Sequence, residues 1–175
     1  MPKILDNMRN NLLAEAKKQI QSYGYAGMTV RSVAKACGVG IGTMYNYFKS
    51  KEDLIHTLMY EDWLLSVEKI RLCSEQTNHP KEILKLIYDE MLGFMQRHDC
   101  LLSDPNAAKV FAMSYVEGHI FLREQISEYL KRSCEAHSKN PSPLLPVYLA
   151  EAIIVWTAAG KSFDEIYEVM ADHFV

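Results

Sequence analysis

Apolar side chains recur every three or four residues along nearly the whole chain, and this spacing limits the fold more than any other feature of the sequence. No stretch alternates apolar and polar residues over the length of a strand, and no Asn-Gly pair indicates a hairpin. The 175 residues suffice to bury roughly 70% of the unfolded surface without a disulfide or a metal. The pattern therefore predicts an all-α fold of about nine helices.

Caps and helix breakers set the predicted boundaries. Thr29, Ser50 and Ser162 are typical N-cap residues. Three prolines within the segment 138–146, "SKNPSPLLP", exclude a helix there and indicate a linker. We predict helices at 5–22, 29–36, 41–47, 50–75, 81–98, 107–137, 147–159 and 162–174. Gly118 is a candidate break in the helix at 107–137, and the alternative is one continuous helix.

Charge is distributed unevenly along the chain. Residues 1–51 contain eight Lys or Arg and two acids, whereas the rest contains eleven basic and twenty acidic residues. A basic end on an acidic body favours a surface that meets a polyanion. The alternative is a solvated basic face that has no partner.

The residue types that carry enzyme or metal chemistry lack the necessary spacing. The four cysteines are far apart and form no CxxC pair, the six histidines show no metal-ligand spacing, and no HExxH, GxSxG or Gly-rich phosphate loop occurs. We expect no catalytic site, no metal, no cofactor and no disulfide. The N-terminus does not read as a signal peptide, and the longest apolar run, "AIIVWTAAG", is about half a membrane span. The expected location is the cytoplasm, without a membrane partner.

The stretch "VGIGTMYNYFKSKEDL", residues 39–54, combines small, aromatic and basic residues. It follows a short predicted helix and a turn at Gly38, which together give a helix-turn-helix. The second helix of that motif enters the DNA major groove. Gly40 and Gly42 would let the backbone approach DNA closely, and the hydroxyl of Tyr45 could reach a phosphate.

The segment "TVRSVAKACGVGIGTMYNYFKSKEDLI" resembles the DNA-binding helices of the tetracycline-repressor (TetR) family of bacterial regulators. The resemblance covers residues 6 to about 58. It implies an N-terminal DNA-binding domain, residues 1–50, and a C-terminal helical domain for ligand binding and dimerisation, residues 51–175. Ser32 stands where the family often has an acid, and we expect this to weaken the cap of the second helix.

The same resemblance implies the DNA contacts. Arg31 is the first candidate for a base contact, because a guanidinium can pair with guanine through two hydrogen bonds. The alternative is that Arg31 touches phosphate alone. Carried over position by position, the contacts are Thr29, Arg31, Gly40, Ile41, Thr43, Tyr45, Asn46, Tyr47 and Lys51.

The helix at 147–159 is apolar on nearly every side, with Glu151 as its single charge. A helix of this kind is buried all round. Together with the helix at 162–174 it predicts a homodimer in which the last two helices of each subunit form a four-helix bundle. The alternative is deep burial within one subunit.

Large apolar residues on the central helices are candidates to line a ligand pocket, although residues at such spacing also form ordinary cores. Two polar residues in an apolar stretch, Glu117 and His119, could fix a cationic or polar group. The predicted pocket consists of Met59, Trp63, Met91, Phe94, Phe111, Tyr115, Glu117 and His119.

Together with these observations, the resemblance to the TetR family implies a dimeric transcriptional repressor that binds double-stranded DNA at a near-palindromic operator and is released by a small-molecule effector. An apolar or cationic small-molecule effector would release it by binding one of its conformations better than the other. The alternative is a DNA-binding protein of the same fold that has no small-molecule effector and is controlled by a protein partner.

Overall fold

The computed structural model describes the backbone of residues 2–174 and the side chains of residues 7–107 and 118–174. This part of the chain contains nine helices and no strand, apart from one isolated bridge between Ser138 and Phe174, so the all-α prediction is confirmed. The helices are α1 (Pro2–Gly27), α2 (Val30–Ala36), α3 (Ile41–Tyr47), α4 (Lys51–Gln76), α5 (Pro80–Arg97), α6 (Asp99–Leu102), α7 (Pro105–His137), α8 (Leu145–Ala158) and α9 (Phe163–Ala171).

The structure interrupts a helix at Gly24 but not at Gly118. Gly24 has φ 70° and ψ −177°, which interrupts α1 at the predicted position. The candidate break near Gly118 is absent, because α7 is one continuous helix. A single glycine costs a helix only about 1 kcal/mol relative to alanine, and burial of Ile126 and Leu130 on the same helix can outweigh that cost. The short helix α6 was not predicted, since four residues carry no periodic pattern.

Ser50 and Ser162 cap α4 and α9 as the sequence suggested. At the start of α4 the Asp53 amide donates to Ser50 Oγ at 3.1 Å, while the Asp53 carboxylate accepts from the Lys49 amide at 2.8 Å. At the start of α9, Ser162 and Glu165 form a reciprocal capping box. Hydrogen bonds from the Ser162 backbone and from Lys161 lower the pKa of Glu165 to about 2. Both helix starts are therefore fixed by their own sequence.

The chain forms two compact units. The first consists of Met1–Asp62 and Arg97–Met113, and the second of Trp63–Gln96 and Ser114–Val175. Each unit has its own buried apolar core. None of the helices in the described part of the chain is both long and apolar enough to span a bilayer.

The division between the units lies within α4, twelve residues beyond the sequence boundary between residues 50 and 51. The reason is packing: Leu54, Ile55 and Leu58 on α4 are buried in the core of the first unit. The assignment of residues 1–50 to DNA binding and 51–175 to ligand binding and dimerisation stays a prediction.

Asp62 on α4 contacts the side chains of three other residues of the first unit. Its carboxylate accepts a hydrogen bond from Arg97 Nε at 2.8 Å, lies 3.1 Å from His98 Nε2, and is 3.6 Å from Lys17 Nζ. Burial opposes its ionisation, but the hydrogen bonds from Arg97 and His98 hold the pKa of Asp62 below its ordinary value. The cluster thus joins α1 and α4 to the end of α5 at Arg97 and to His98, which precedes α6.

The second unit buries one side of each of its helices. Ile83, Ile87 and Met91 on α5 are buried, whereas Phe94 is only partly buried. The larger buried residues of this core are Trp63, Val67, Ile70, Ile83, Leu84, Ile87, Met91, Ile126, Leu130, Leu145, Leu149, Ile153, Ile154, Phe163, Ile166, Met170 and Phe174.

Burial lowers the pKa of the His98 imidazole, and this makes the stability of the first unit dependent on pH. The folded protein binds this proton less readily than the unfolded chain, so the stabilisation is complete above the unfolded pKa of about 6.5 and is lost as pH falls below it. We expect urea unfolding to give a smaller free energy at about pH 5.5 than at about pH 7.5. His98→Gln should reduce that difference, and His56→Gln, at an exposed position, should retain it. Equal pH dependence in all three proteins would contradict the assignment.

Candidate nucleic-acid interface

The turn between α2 and α3 depends on a glycine in the left-handed region. Gly38 has φ 69°, and its amide donates to the Lys35 carbonyl at 3.1 Å. The amide of Val39 donates to the Ala34 carbonyl at 3.0 Å. These bonds form a Schellman-type end that satisfies the last carbonyls of α2 and turns the chain into α3.

Thr29 caps the start of α2 as predicted, but the expectation that Ser32 weakens this cap is wrong. The Ser32 amide donates to Thr29 Oγ1 at 3.0 Å, and the Thr29 amide donates to Ser32 Oγ at 3.1 Å. Ser32 Oγ also lies 2.6 Å from Oε1 of Gln19 on α1. A hydroxyl at this position therefore completes the capping box as an acid would, and it adds a link to α1. The serine three residues after Thr29 was the signal for this box.

The seven residues of α3 have a buried side and an exposed side. Met44 lies on α3, and Phe48 is the first residue after that helix. Both side chains are fully buried in the core of the first unit. The exposed side contains no acidic residue, so nothing on it repels phosphate. Its solvent-exposed members are Ile41, Gly42, Thr43, Tyr45 and Asn46.

Two predicted DNA contacts, Tyr47 and Lys51, are only partly exposed. Lys51 Nζ donates to the Tyr25 carbonyl and lies 3.9 Å from the centroid of the Tyr25 ring. Burial lowers the pKa of the Lys51 ammonium. In this structure Lys51 thus stabilises the junction of α1 with α4, and its predicted contact with DNA stays a prediction.

Three exposed basic side chains lie on α2 and just after α3. Arg31, Lys35 and Lys49 are exposed, and none of them forms an ion pair with a residue whose side chain the structure describes. Sequence reasoning left Lys35 out of the predicted contacts. Its spacing of four residues from Arg31 was the available signal, because residues so spaced share one face of a helix.

The predicted pocket residues do not form one group in the described structure. Trp63, Met91 and Phe94 belong to the core of the second unit, where the Trp63 and Phe94 rings meet edge to face at 5.6 Å. Met59 instead packs against the core of the first unit. Trp63 Nε1 is buried, and no described residue accepts a hydrogen bond from it.

The remaining pocket candidates lie near the middle of α7. His119 Nε2 lies 3.0 Å from both carboxylate oxygens of Glu151. The side chains of Phe111, Tyr115 and Glu117 lie outside the described residues. The predicted pocket, as a set, stays a prediction.

Comparison with known proteins shows that the helix-turn-helix segment matches the profile of a known family. The profile of the family described as bacterial regulatory proteins, tetR family, matches residues 12–58. This segment contains α2, the Gly38 turn and α3, together with the α1 and α4 residues that form their core. It coincides closely with the resemblance seen in the sequence.

Relatives extend the similarity beyond that segment. The chain is 31% identical over 121 residues to the fatty acid metabolism regulator protein of Bacillus subtilis strain 168, covering 69% of this chain and 59% of that protein. It is 25% identical over 178 aligned positions to the HTH-type transcriptional repressor AcnR of Corynebacterium diphtheriae, covering 95% of this chain and 89% of that protein. The chain thus spans less than two thirds of the length of the B. subtilis relative.

A solved structure shares the fold. FadR of Thermus thermophilus, described as a TetR family transcriptional repressor in complex with lauroyl-CoA, superposes with a TM-score of 0.61 and 24% identity. The superposition covers 95% of each chain. The likeness supports the helical fold of both parts of this chain.

Two glycines of the turn offer a matched test of the backbone geometry. A β-carbon added at Gly38 or at Gly40 would meet no described atom within 4 Å, but only Gly38 has a positive φ, whereas Gly40 has φ −67°. Gly38→Ala should therefore lower the free energy of unfolding by about 1 kcal/mol. Gly40→Ala should leave it nearly unchanged, because the gain of about 0.4–1 kcal/mol from a less flexible unfolded chain is offset by the loss of glycine at the N-cap of α3. Urea unfolding measures both, and equal values would show that the left-handed turn is not required.

Proposed function

The chain belongs, through residues 12–58, to the tetR family of bacterial regulatory proteins, and we propose on this premise that it is a DNA-binding transcriptional repressor. The observation that carries the proposal is the two-sided character of α3. Its buried residue Met44 holds the helix in place, while its acid-free exposed side remains available to a DNA groove. A near-palindromic operator follows, because two copies related by a two-fold axis read two half-sites.

Each type of exposed side chain at this surface suits one kind of DNA contact. Asn46 offers an amide that can bind adenine, and Thr43 offers a methyl group that can meet thymine. Tyr45 and Lys49 suit phosphate, which positions the protein without reading sequence. Arg31 on α2 is the proposed guanine contact.

The proposed dimer rests on α8. One side of this helix is buried within the chain, but the opposite side exposes Leu144, Val147, Tyr148 and Val155, of which Leu144 is 73% exposed and Tyr148 50%. Val169 on α9 is 51% exposed. An apolar face of this kind favours association. We therefore place the homodimer contact on the last two helices, as the sequence predicted.

The proposed effector is a small molecule with a long apolar tail, of the fatty acyl-CoA class. Its support is the name of the B. subtilis relative, a regulator of fatty acid metabolism, and the lauroyl-CoA in the T. thermophilus structure. In this chain, the buried Trp63 indole N–H could donate to an effector carbonyl, because no described residue accepts from it. Control by a protein partner is the alternative.

Selection of bound sequences from a random DNA library tests the DNA-binding function. We expect a palindrome whose half-sites lie about one helical turn apart. Arg31→Ala should relax the preference at one position of each half-site, at a cost of about 1–3 kcal/mol for the preferred base. The control, Lys49→Ala, should weaken binding to all sequences alike and reduce the salt slope by about one.

Two results would contradict this division of roles. If the folded wild-type protein enriches no sequence, the proposed function fails. If Arg31→Ala and Lys49→Ala weaken every sequence equally, Arg31 contacts phosphate rather than a base.

Trp63→Phe tests whether the Trp63 indole N–H binds the proposed effector. The phenyl ring keeps most of the apolar contact but has no N–H, so the Kd for lauroyl-CoA should rise about five- to tenfold, while DNA binding without effector stays unchanged. Met91→Leu, which removes no polar group, is the control, and free CoA is the ligand control. Fluorescence anisotropy of a labelled operator measures the release of the protein from DNA as lauroyl-CoA is added. An operator complex that lauroyl-CoA does not weaken in the wild type would exclude this effector and favour a protein partner.

A further inference from the structure

A single charge interrupts the exposed apolar side of α8. Leu144, Tyr148 and Val155 lie on one face of the helix, since they are spaced by four and seven residues. Glu151 falls between Tyr148 and Val155 on that same face, and it is the only charged residue of α8. A carboxylate in the middle of an otherwise apolar face needs a physical reason, because covering it removes it from water.

Two side chains of the neighbouring helix α7 contact this carboxylate but do not take it out of water. His119 Nε2 lies 3.0 Å from both oxygens of Glu151, and Arg123 Nη1 lies 3.7 Å from one of them. The Glu151 side chain remains 42% exposed and that of Arg123 34% exposed, so both charges still face solvent. The three residues, here called the Glu151 cluster, bring one negative and one positive charge to the apolar face together with an imidazole.

We propose that the Glu151 cluster selects the partner of the α8 face and restricts it to a second copy of this chain. The inference rests on the homodimer proposed above and adds the residues that decide its specificity. Apolar contact alone would admit many partners, whereas a charge on the face excludes every surface that cannot compensate it.

A second copy satisfies this condition by symmetry. In a two-fold interface each residue of the patch meets the patch of the other copy, so a patch that holds both signs of charge is complementary to itself. Glu151 and Arg123 of one copy can then meet Arg123 and Glu151 of the other. Within one chain Arg123 Nη1 is 3.7 Å from Glu151, which is too long for a hydrogen bond. An apolar surface that covered this pair would remove the hydrogen bonds from water to both charges and replace none of them, which disfavours an unrelated apolar partner.

Charge exchange within the full-length chain tests the proposal. Glu151→Arg gives the face two positive charges and Arg123→Glu gives it two negative charges, so each single variant should dimerise at least about tenfold more weakly than the wild type. The double variant exchanges the two charges and restores their balance. We expect it to regain dimerisation to within about threefold of the wild type. Sedimentation equilibrium gives the dimer Kd.

Mixing the two single variants gives a second readout. Their faces carry opposite charge, so Glu151→Arg and Arg123→Glu chains should form a mixed dimer in preference to either homodimer. Native mass spectrometry distinguishes the three species when one chain carries an isotope label. Glu124→Arg is the control. It changes an exposed charge on α7, the helix of Arg123, and should leave dimerisation unchanged.

Every outcome decides the proposal, provided that circular dichroism shows the variants to be helical. Single variants that dimerise like the wild type overturn the role of the cluster while the proposed homodimer stands. Folded variants that are all monomeric, including the double variant, overturn charge pairing as the cause. A wild-type protein that is monomeric at micromolar concentration overturns the homodimer itself, and the specificity with it. A mixed dimer and a restored double variant support the proposal.

Discussion

The burial of Met44 and Phe48 is the constraint on which the candidate DNA-binding surface depends. Both side chains are fully covered by a core that α1, α2 and α4 supply. A seven-residue helix is too short to be stable alone, so this packing rather than helix propensity holds α3 in position. Because one side of α3 is fixed in this way, the opposite side, with Thr43 and Tyr45, can be exposed without loss of order.

Local hydrogen bonds complete what packing begins. Thr29 and Ser32 close the start of α2, Gly38 closes its end, and Asp53 closes the start of α4. These bonds satisfy backbone groups that helices of this length would otherwise leave without partners. Lys51 also satisfies a backbone group near a helix end, because its ammonium donates a hydrogen bond to the Tyr25 carbonyl near the end of α1. The motif is therefore a set of short helices whose ends are each fixed by a neighbouring residue.

In the second unit, helix α8 also has one buried side and one exposed side. Residues on one side of α8, such as Leu149 and Ile153, are buried in their own chain, and the opposite side exposes Tyr148 and Val155. A sequence that is apolar all round indicated burial all round, yet a single chain covers only one side. The uncovered side supports the proposed homodimer, and Glu151 is the residue whose charge that surface must accommodate.

The sequence by itself determined the helical class, most helix boundaries, the Thr29 and Ser162 caps and the helix-turn-helix, because each follows from contacts between residues close along the chain. It did not reveal that α7 continues through Gly118 or that the first unit extends to Asp62, since both depend on packing between distant segments. Only the tertiary structure paired Glu151 with His119, because the partners lie 32 residues apart and no local pattern records their meeting.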